Sequence, residues 1–318
     1  MPEPYAILHG GFHKTASTFL QKTLKRNEGF LDKRGVHYVH HRHMRKQFTV
    51  PCQLNAYHSI GVRRKTVIKD DALRDLTEDF FAKLVKSPPH RLVLTDENLA
   101  GHCGHCIKTG DLYQYRDPFM KVFSREIPFE IKEVHLAIRN YADFFAAAYV
   151  EYVRSLQTNS VRFVRQEDMC EQVFRRLPAW NGVINTAAAH FPKARIHVWR
   201  FEDFIADPGM GPRILGNLVG DGVDVSRLKE ARGDSRRPSA SARAMAEIQM
   251  LIERDGIAAA AEQANAIQKK FPRNAKNGTF DPWSAWERAH LTRLYDRDFA
   301  RLRTNDSVTI LTPENVLA

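Results

Sequence analysis

Residues Tyr5 to Leu24 read YAILHGGFHKTASTFLQKTL, and this stretch decides the fold. An apolar run, Tyr5 to Leu8, has the length and composition of a buried strand. It enters the glycine pair Gly10-Gly11. His13, Lys14 and the hydroxyl-rich Thr15-Ala16-Ser17-Thr18 follow, opening a helix with Leu20 and Leu24 on one face. A strand, a glycine turn and a helix N-terminus bring free backbone N–H groups and the positive end of the helix dipole to one point. Lys14 adds a mobile charge there. The stretch is an anion cradle, sized for a phosphate or sulfate group.

Outward from it, short apolar runs at Val36–Val39, Arg91–Thr95, Val134–Ile138 and Ile196–Trp199 read as further strands. Helical patterns separate them, as at Leu73–Val85 and Phe144–Val153. Strands alternating with helices predict an α/β fold, with a mostly parallel sheet covered on both faces. Ligands in such sheets bind at the carboxyl ends of the strands, where the cradle would lie. Helices are expected from Ala242 to Arg254 and after Trp283, giving a helical C-terminal portion. The basic stretch His40–Lys65, with little periodicity, reads as an irregular insertion. Gly101–Asp117 reads as a second, and Lys229–Ser241 as weakly ordered. One domain spanning residues 1–318 is expected.

The chain has 318 residues, 43% of them hydrophobic and 27% charged, as in an ordinary globular protein. Lys and Arg number 48 against 37 Asp and Glu. The excess is dispersed and carries no aromatic-interleaved motif, which argues for an anionic small molecule and against nucleic acid. No apolar run of membrane-spanning length occurs, and the first residues lack the features of a secretory signal. Four cysteines do not make a disulfide scaffold, so a cytoplasmic protein is expected. His102-Cys103-Gly104-His105-Cys106 has zinc-binding residue types, but structural zinc sites draw on two separated ligand pairs. It reads better as a loop over an acceptor site, and no metal is expected.

The cradle is not the nucleotide-triphosphate loop G-x-x-x-x-G-K-[ST], because His13 precedes Lys14. His13-Lys14-Thr15-Ala16-Ser17-Thr18 instead resembles the 5′-phosphosulfate loop of the PAPS-dependent sulfotransferases, roughly P-K-[ST]-G-[ST]-T, with Ala16 for the glycine. Arg139-Asn140-Tyr141-Ala142-Asp143, with Tyr149 beyond, is similar to that family's 3′-phosphate segment. Tyr141 stands there for a proline and Ala147 for the serine. Arg139 suits bidentate phosphate recognition, and Asp143 has the chemistry of a helix cap. The stretch from Ile196 to Phe204 is similar to the family's strand ending in a [RF]-[YF]-E-D-[LF] turn. Arg237-Pro238-Ser239-Ala240-Ser241 looks like a segment of its bacterial members.

The resemblance runs from about Tyr5 to Ser241. It implies a three-layer, P-loop-like fold and PAPS (3′-phosphoadenosine 5′-phosphosulfate) as donor. Lys14, Thr15, Ala16, Ser17, Thr18, Arg139, Ala147 and Arg237 would contact it. Glu97, after the strand Arg91–Thr95, resembles the base of the glycan-modifying branch, so a carbohydrate hydroxyl is the expected acceptor and an amine the alternative. Lys14 would stabilise the leaving phosphate, and His13 is a further catalytic candidate, with Asp96 and the histidines of residues 102–105 as rivals. A P-loop-like kinase or nucleotide hydrolase, and a non-catalytic nucleotide- or polyanion-binding relative, remain open. Oligomeric state is not legible in the sequence.

Overall fold

The computed structural model describes residues 3–84, 91–156, 163–231 and 239–313. Six strands, β1 (Tyr5–His9), β2 (Val36–Val39), β3 (Arg91–Thr95), β4 (Glu130–Ile138), β5 (Arg195–Arg200) and β6 (Val308–Ile310), form one sheet in the order β2-β3-β1-β4-β5-β6. Every pairing is parallel. Fourteen helices among the described residues cover it.

Alternation along the strands sorts the core into two layers. Ala6, Leu8, Leu92, Leu94, Val134, Leu136 and Val198 face a large helical layer. That layer includes α4 (Val50–Ser59), α5 (Asp70–Leu84), α6 (Cys103–Thr109), α7 (Arg116–Glu126) and α8 (Tyr141–Arg154). It also holds α9 (Gln166–Arg176), α10 (Trp180–His190), α13 (Ala242–Lys270) and α14 (Ala285–Arg303). Ile7, Val93, Ala137 and Trp199 point the other way. They meet a thinner layer of α1 (Ser17–Arg26), α2 (Glu28–Asp32) and α12 (Met210–Val219). The fold is α/β in three layers, as expected, with a sheet more regular than the sequence suggested. The short edge strand β6 was not foreseen. Among the described residues no helix is long and apolar enough to cross a membrane.

The expected irregular insertion at 40–65 is largely helical, and this corrects the sequence reading. It contains α3 (His41–Met44), a π turn (Arg45–Thr49) and α4. Met44, Phe48, Cys52 and Ala56 are fully buried at a spacing of four. A four-residue stripe lags the 3.6-residue α turn, and the wider π turn brings it back toward the core. The basic residues between these positions hid the stripe. The insertion at 101–117 also holds helix, α6 and the start of α7. Cys103, Cys106, Ile107 and Leu112 are buried within it, so it is anchored by packing and is not an open loop.

Candidate functional site

Successive connections from β1 and β4 leave the sheet in opposite directions, β1 toward β2 and β4 toward β5. The crevice between the carboxyl ends of β1 and β4 is therefore the topological switch point, the usual ligand position in such sheets. The cradle rises from the first and Arg139 from the second.

The loop is built tightly. Gly10 N–H donates to the His135 carbonyl at 3.1 Å, tying the turn to β4. A Cβ on Gly11 would lie 2.5 Å from His9 Nε2, so this position needs glycine for close approach. Thr15 Oγ1 donates to the Phe12 carbonyl, and Ser17 Oγ donates to the Gly11 carbonyl at 3.0 Å. These two hydroxyls thus brace the loop from inside. Ala16 is the N-cap of α1 and no side chain caps the helix, which leaves its first N–H groups for an anion.

Lys14 and Ala16 both adopt left-handed backbone, with φ of 65° and 67°. A side chain there costs about 1 kcal/mol relative to glycine. We expect Ala16→Gly to stabilise the fold by about 0.5–1 kcal/mol, raising Tm by roughly 1 °C in a calorimetric scan. A lower Tm would mean that the alanine methyl packs better than it strains.

Lys14 Nζ lies 2.7 Å from Glu151 Oε2 on α8, and Arg154 approaches the same oxygen at 3.6 Å. The cradle lysine is thus engaged by a carboxylate. Arg139 donates to the Lys14 carbonyl at 2.9 Å, and its guanidinium sits 4.6 Å from the Phe201 ring centroid. Burial lowers its pKa. It makes no ion pair among the described residues.

The cap of α8 is Asn140, whose side chain accepts from Ala142 N–H at 3.0 Å. Asp143, the residue expected to cap it, pairs with Arg288 at 2.9 Å instead. The sharp entry after β4 places position 140, not 143, before the first turn. Ala147 is half-buried, one turn ahead of Glu151 on the same face of α8. In the third motif, Glu202 accepts from Asn140 N–H (2.9 Å) and from Tyr295 Oη (2.8 Å), which ties α14 to the end of β4. Arg237 lies outside the described residues. Ser241 is the N-cap of α13.

Glu97 follows β3 and stands on the same rim. Its Oε1 is 2.8 Å from Arg45 and its Oε2 accepts from Gln21 at 3.0 Å. Burial works to raise its pKa, but Arg45, His13 and Gln21 outweigh that and hold it at about 2. Asp96 is buried and bound to Arg45 at 2.6 Å and to Asn98 N–H at 3.0 Å. Burial raises its pKa against the pull of Arg45. His13 Nδ1 lies 3.1 Å from Tyr113 Oη, and burial lowers its pKa to about 4. The ring is therefore neutral at pH 7. His102 lies beside it, ring centroids 6.5 Å apart.

His13, Lys14, Glu97 and Arg139 thus share one end of the sheet. The residues 102–106 do not converge on a point: Cys106 is buried against Tyr113 N–H and His105 turns to Tyr57. Sequence reasoning missed Arg45, Gln21, Tyr113 and Glu151. Gln21 was in view, one turn into α1 on the side of buried Ser17; Arg45 on the π turn, Tyr113 in the connection before α7 and Glu151 on α8 reach the site only through tertiary packing. No protein-family model matches the chain, and neither a curated protein nor a solved structure matches it.

Proposed function

We propose that the chain is a P-loop-like sulfotransferase that draws on PAPS. The carrying observation is the gathering, at the carboxyl ends of β1, β4 and β3, of an uncapped helix N-terminus, an arginine with no carboxylate partner among the described residues, and a carboxylate. These suit in turn a 5′-phosphosulfate, a 3′-phosphate and an acceptor hydroxyl. Bound there, PAPS supplies an activated sulfuryl group. Glu97 takes the proton of the acceptor hydroxyl as its oxygen bonds to sulfur. Lys14 with the N–H groups of Thr15 to Thr18 would stabilise the negative charge that the 5′-phosphate takes on as its bridging oxygen parts from sulfur. Arg139 holds the 3′-phosphate. Lys14 must exchange Glu151 for the donor in this scheme, and a carbohydrate hydroxyl is the acceptor we favour. The free thiols of Cys52, Cys103, Cys106 and Cys170 suit the cytoplasm.

A kinase or hydrolase on the same frame needs an acidic residue at liberty to hold magnesium, and Asp96 is committed to Arg45 and Asn98. A non-catalytic nucleotide binder is favoured by one observation, the engagement of Lys14 by Glu151. A calorimetric titration without and then with magnesium separates these readings. Adenosine 3′,5′-bisphosphate should bind and ATP should bind far more weakly. ATP binding that requires magnesium would put the kinase first. Bisphosphate binding without turnover over a panel of glycans, phenols and amines would favour the binder.

A further inference from the structure

The thin-layer face of the sheet carries a buried polar row that the cradle does not use. Parallel register sets His9 beside His135 and His135 beside His197, on three adjacent strands. Glu133 lies two residues before His135 on the same face of β4. Its Oε2 is 2.8 Å from His135 Nε2 and 3.7 Å from His197 Nε2, and these three donor atoms lie within 4.8 Å of one another. His135 and His197 stack at 4.6 Å and are 0% and 3% exposed. Among the described residues, neither nitrogen of His197 and not Nδ1 of His135 has a hydrogen-bond partner. A buried imidazole nitrogen left without a partner costs about 1–3 kcal/mol; His197 has two such nitrogens and lies 3.7 Å from the carboxylate oxygen that His135 already engages.

We propose that Glu133, His135 and His197 form a binding site for a divalent transition-metal ion of the zinc class, set in the sheet between β4 and β5. Two imidazole nitrogens and a carboxylate oxygen are a known zinc donor set, with a water in the fourth position. Tetrahedral bonds of about 2.0–2.2 Å put donors about 3.3 Å apart. The observed 2.8 and 3.7 Å straddle that value and the third separation is within 4.8 Å, while the two rings, stacked 13° from parallel, must turn to aim both nitrogens at one ion.

The surroundings fix the carboxylate as outer partners of metal ligands do. Arg91 Nη2 holds Glu133 Oε1 at 3.2 Å, leaving Oε2 for the rings. Arg91 is itself fixed by the Leu218 carbonyl at 2.9 Å and by Tyr5 Oη at 3.3 Å. The Glu133 side chain is 20% exposed, which gives an ion its way in. Imidazole with carboxylate selects zinc, cobalt or nickel over magnesium and calcium.

The test uses the full chain after treatment with a chelator and its removal. Zinc titrated against a chromophoric chelator should bind at one equivalent and raise Tm, and Co2+ should give the visible absorption of a four-coordinate site. His197→Gln and Glu133→Gln should each weaken zinc binding at least about 100-fold, and Arg91→Lys about tenfold, as for an outer-shell partner. Unchanged zinc stoichiometry and affinity in a folded His197→Gln would overturn the site, since the metal would then sit elsewhere. So would the absence of zinc uptake by the wild type. If neither ligand variant folds, Arg91→Lys and the wild-type cobalt spectrum decide: no four-coordinate band, or no loss of affinity in Arg91→Lys, rejects it.

Discussion

Glu97→Gln is expected to lower turnover about 10²- to 10⁴-fold while adenosine 3′,5′-bisphosphate binds as to the wild type. The amide keeps the shape of the carboxylate: its oxygen can accept from Arg45 in place of Oε1, and Gln21 can turn its own amide to accept from the new NH2 in place of donating to Oε2. It cannot take a proton from an acceptor. Arg45 retains Asp96 at 2.6 Å, so no buried cation is stranded. Removing the Glu97 charge also relieves repulsion on buried Asp96. Tm at pH 7 should therefore move by no more than a few degrees.

The pH dependence provides a second readout. The folded pKa of Glu97 is held down from 4.5 to about 2. Its contribution to stability is thus full above pH 4.5 and is lost as pH falls from 4.5 toward 2. In Glu97→Gln that part of the acid destabilisation should disappear from chemical-denaturation curves. A carboxylate held so far below neutrality is a weak base, and it places the rate loss toward the lower end of the range. Unchanged turnover would remove Glu97 as base and leave Asp96, His13 or the histidines of residues 102–105. A large fall in Tm would assign it to the scaffold.

Lys14→Ala is expected to reduce transfer by about 10³-fold, the order of loss when a charge-stabilising donor is removed from a reacting centre. The fold should survive, because Glu151 keeps Arg154 at 3.6 Å. Glu151→Gln should act in the opposite direction on binding. It releases Lys14 from a partly exposed ion pair, a contact worth up to about 1 kcal/mol. Bisphosphate affinity should accordingly rise up to about fivefold. Titration calorimetry on both variants checks the pair. If Glu151→Gln weakens binding, Glu151 orients the lysine and does not compete with the nucleotide for it. If Lys14→Ala transfers like the wild type, the cradle is not the donor site.

The local pattern was enough to set the alternation of strands and helices, the parallel sheet and the turn after β1. Each rests on nearest-neighbour physics: apolar runs of strand length, a glycine pair, hydroxyls at a helix start. Two glycine-like left-handed positions, Lys14 and Ala16, escaped notice because neither residue type announces a positive φ. The stripe Met44-Phe48-Cys52-Ala56 escaped because its spacing belongs to no single helix type. Asp143 and Asn140 are both competent caps, and only the path of the chain out of β4 chose between them.

Tertiary packing decided the electrostatics. Nothing in the local sequence joins Lys14 to Glu151, 137 residues away, or Arg45 to the adjacent carboxylates Asp96 and Glu97. Glu133 and His135 alternate visibly on one strand, yet His197 joins them through the register of β4 against β5, 62 residues downstream of His135. Spacing along the chain reports which face a side chain takes; which charges meet across the sheet is set by strand order and helix packing, because Coulomb and hydrogen-bond energies depend on distances that the linear sequence does not contain.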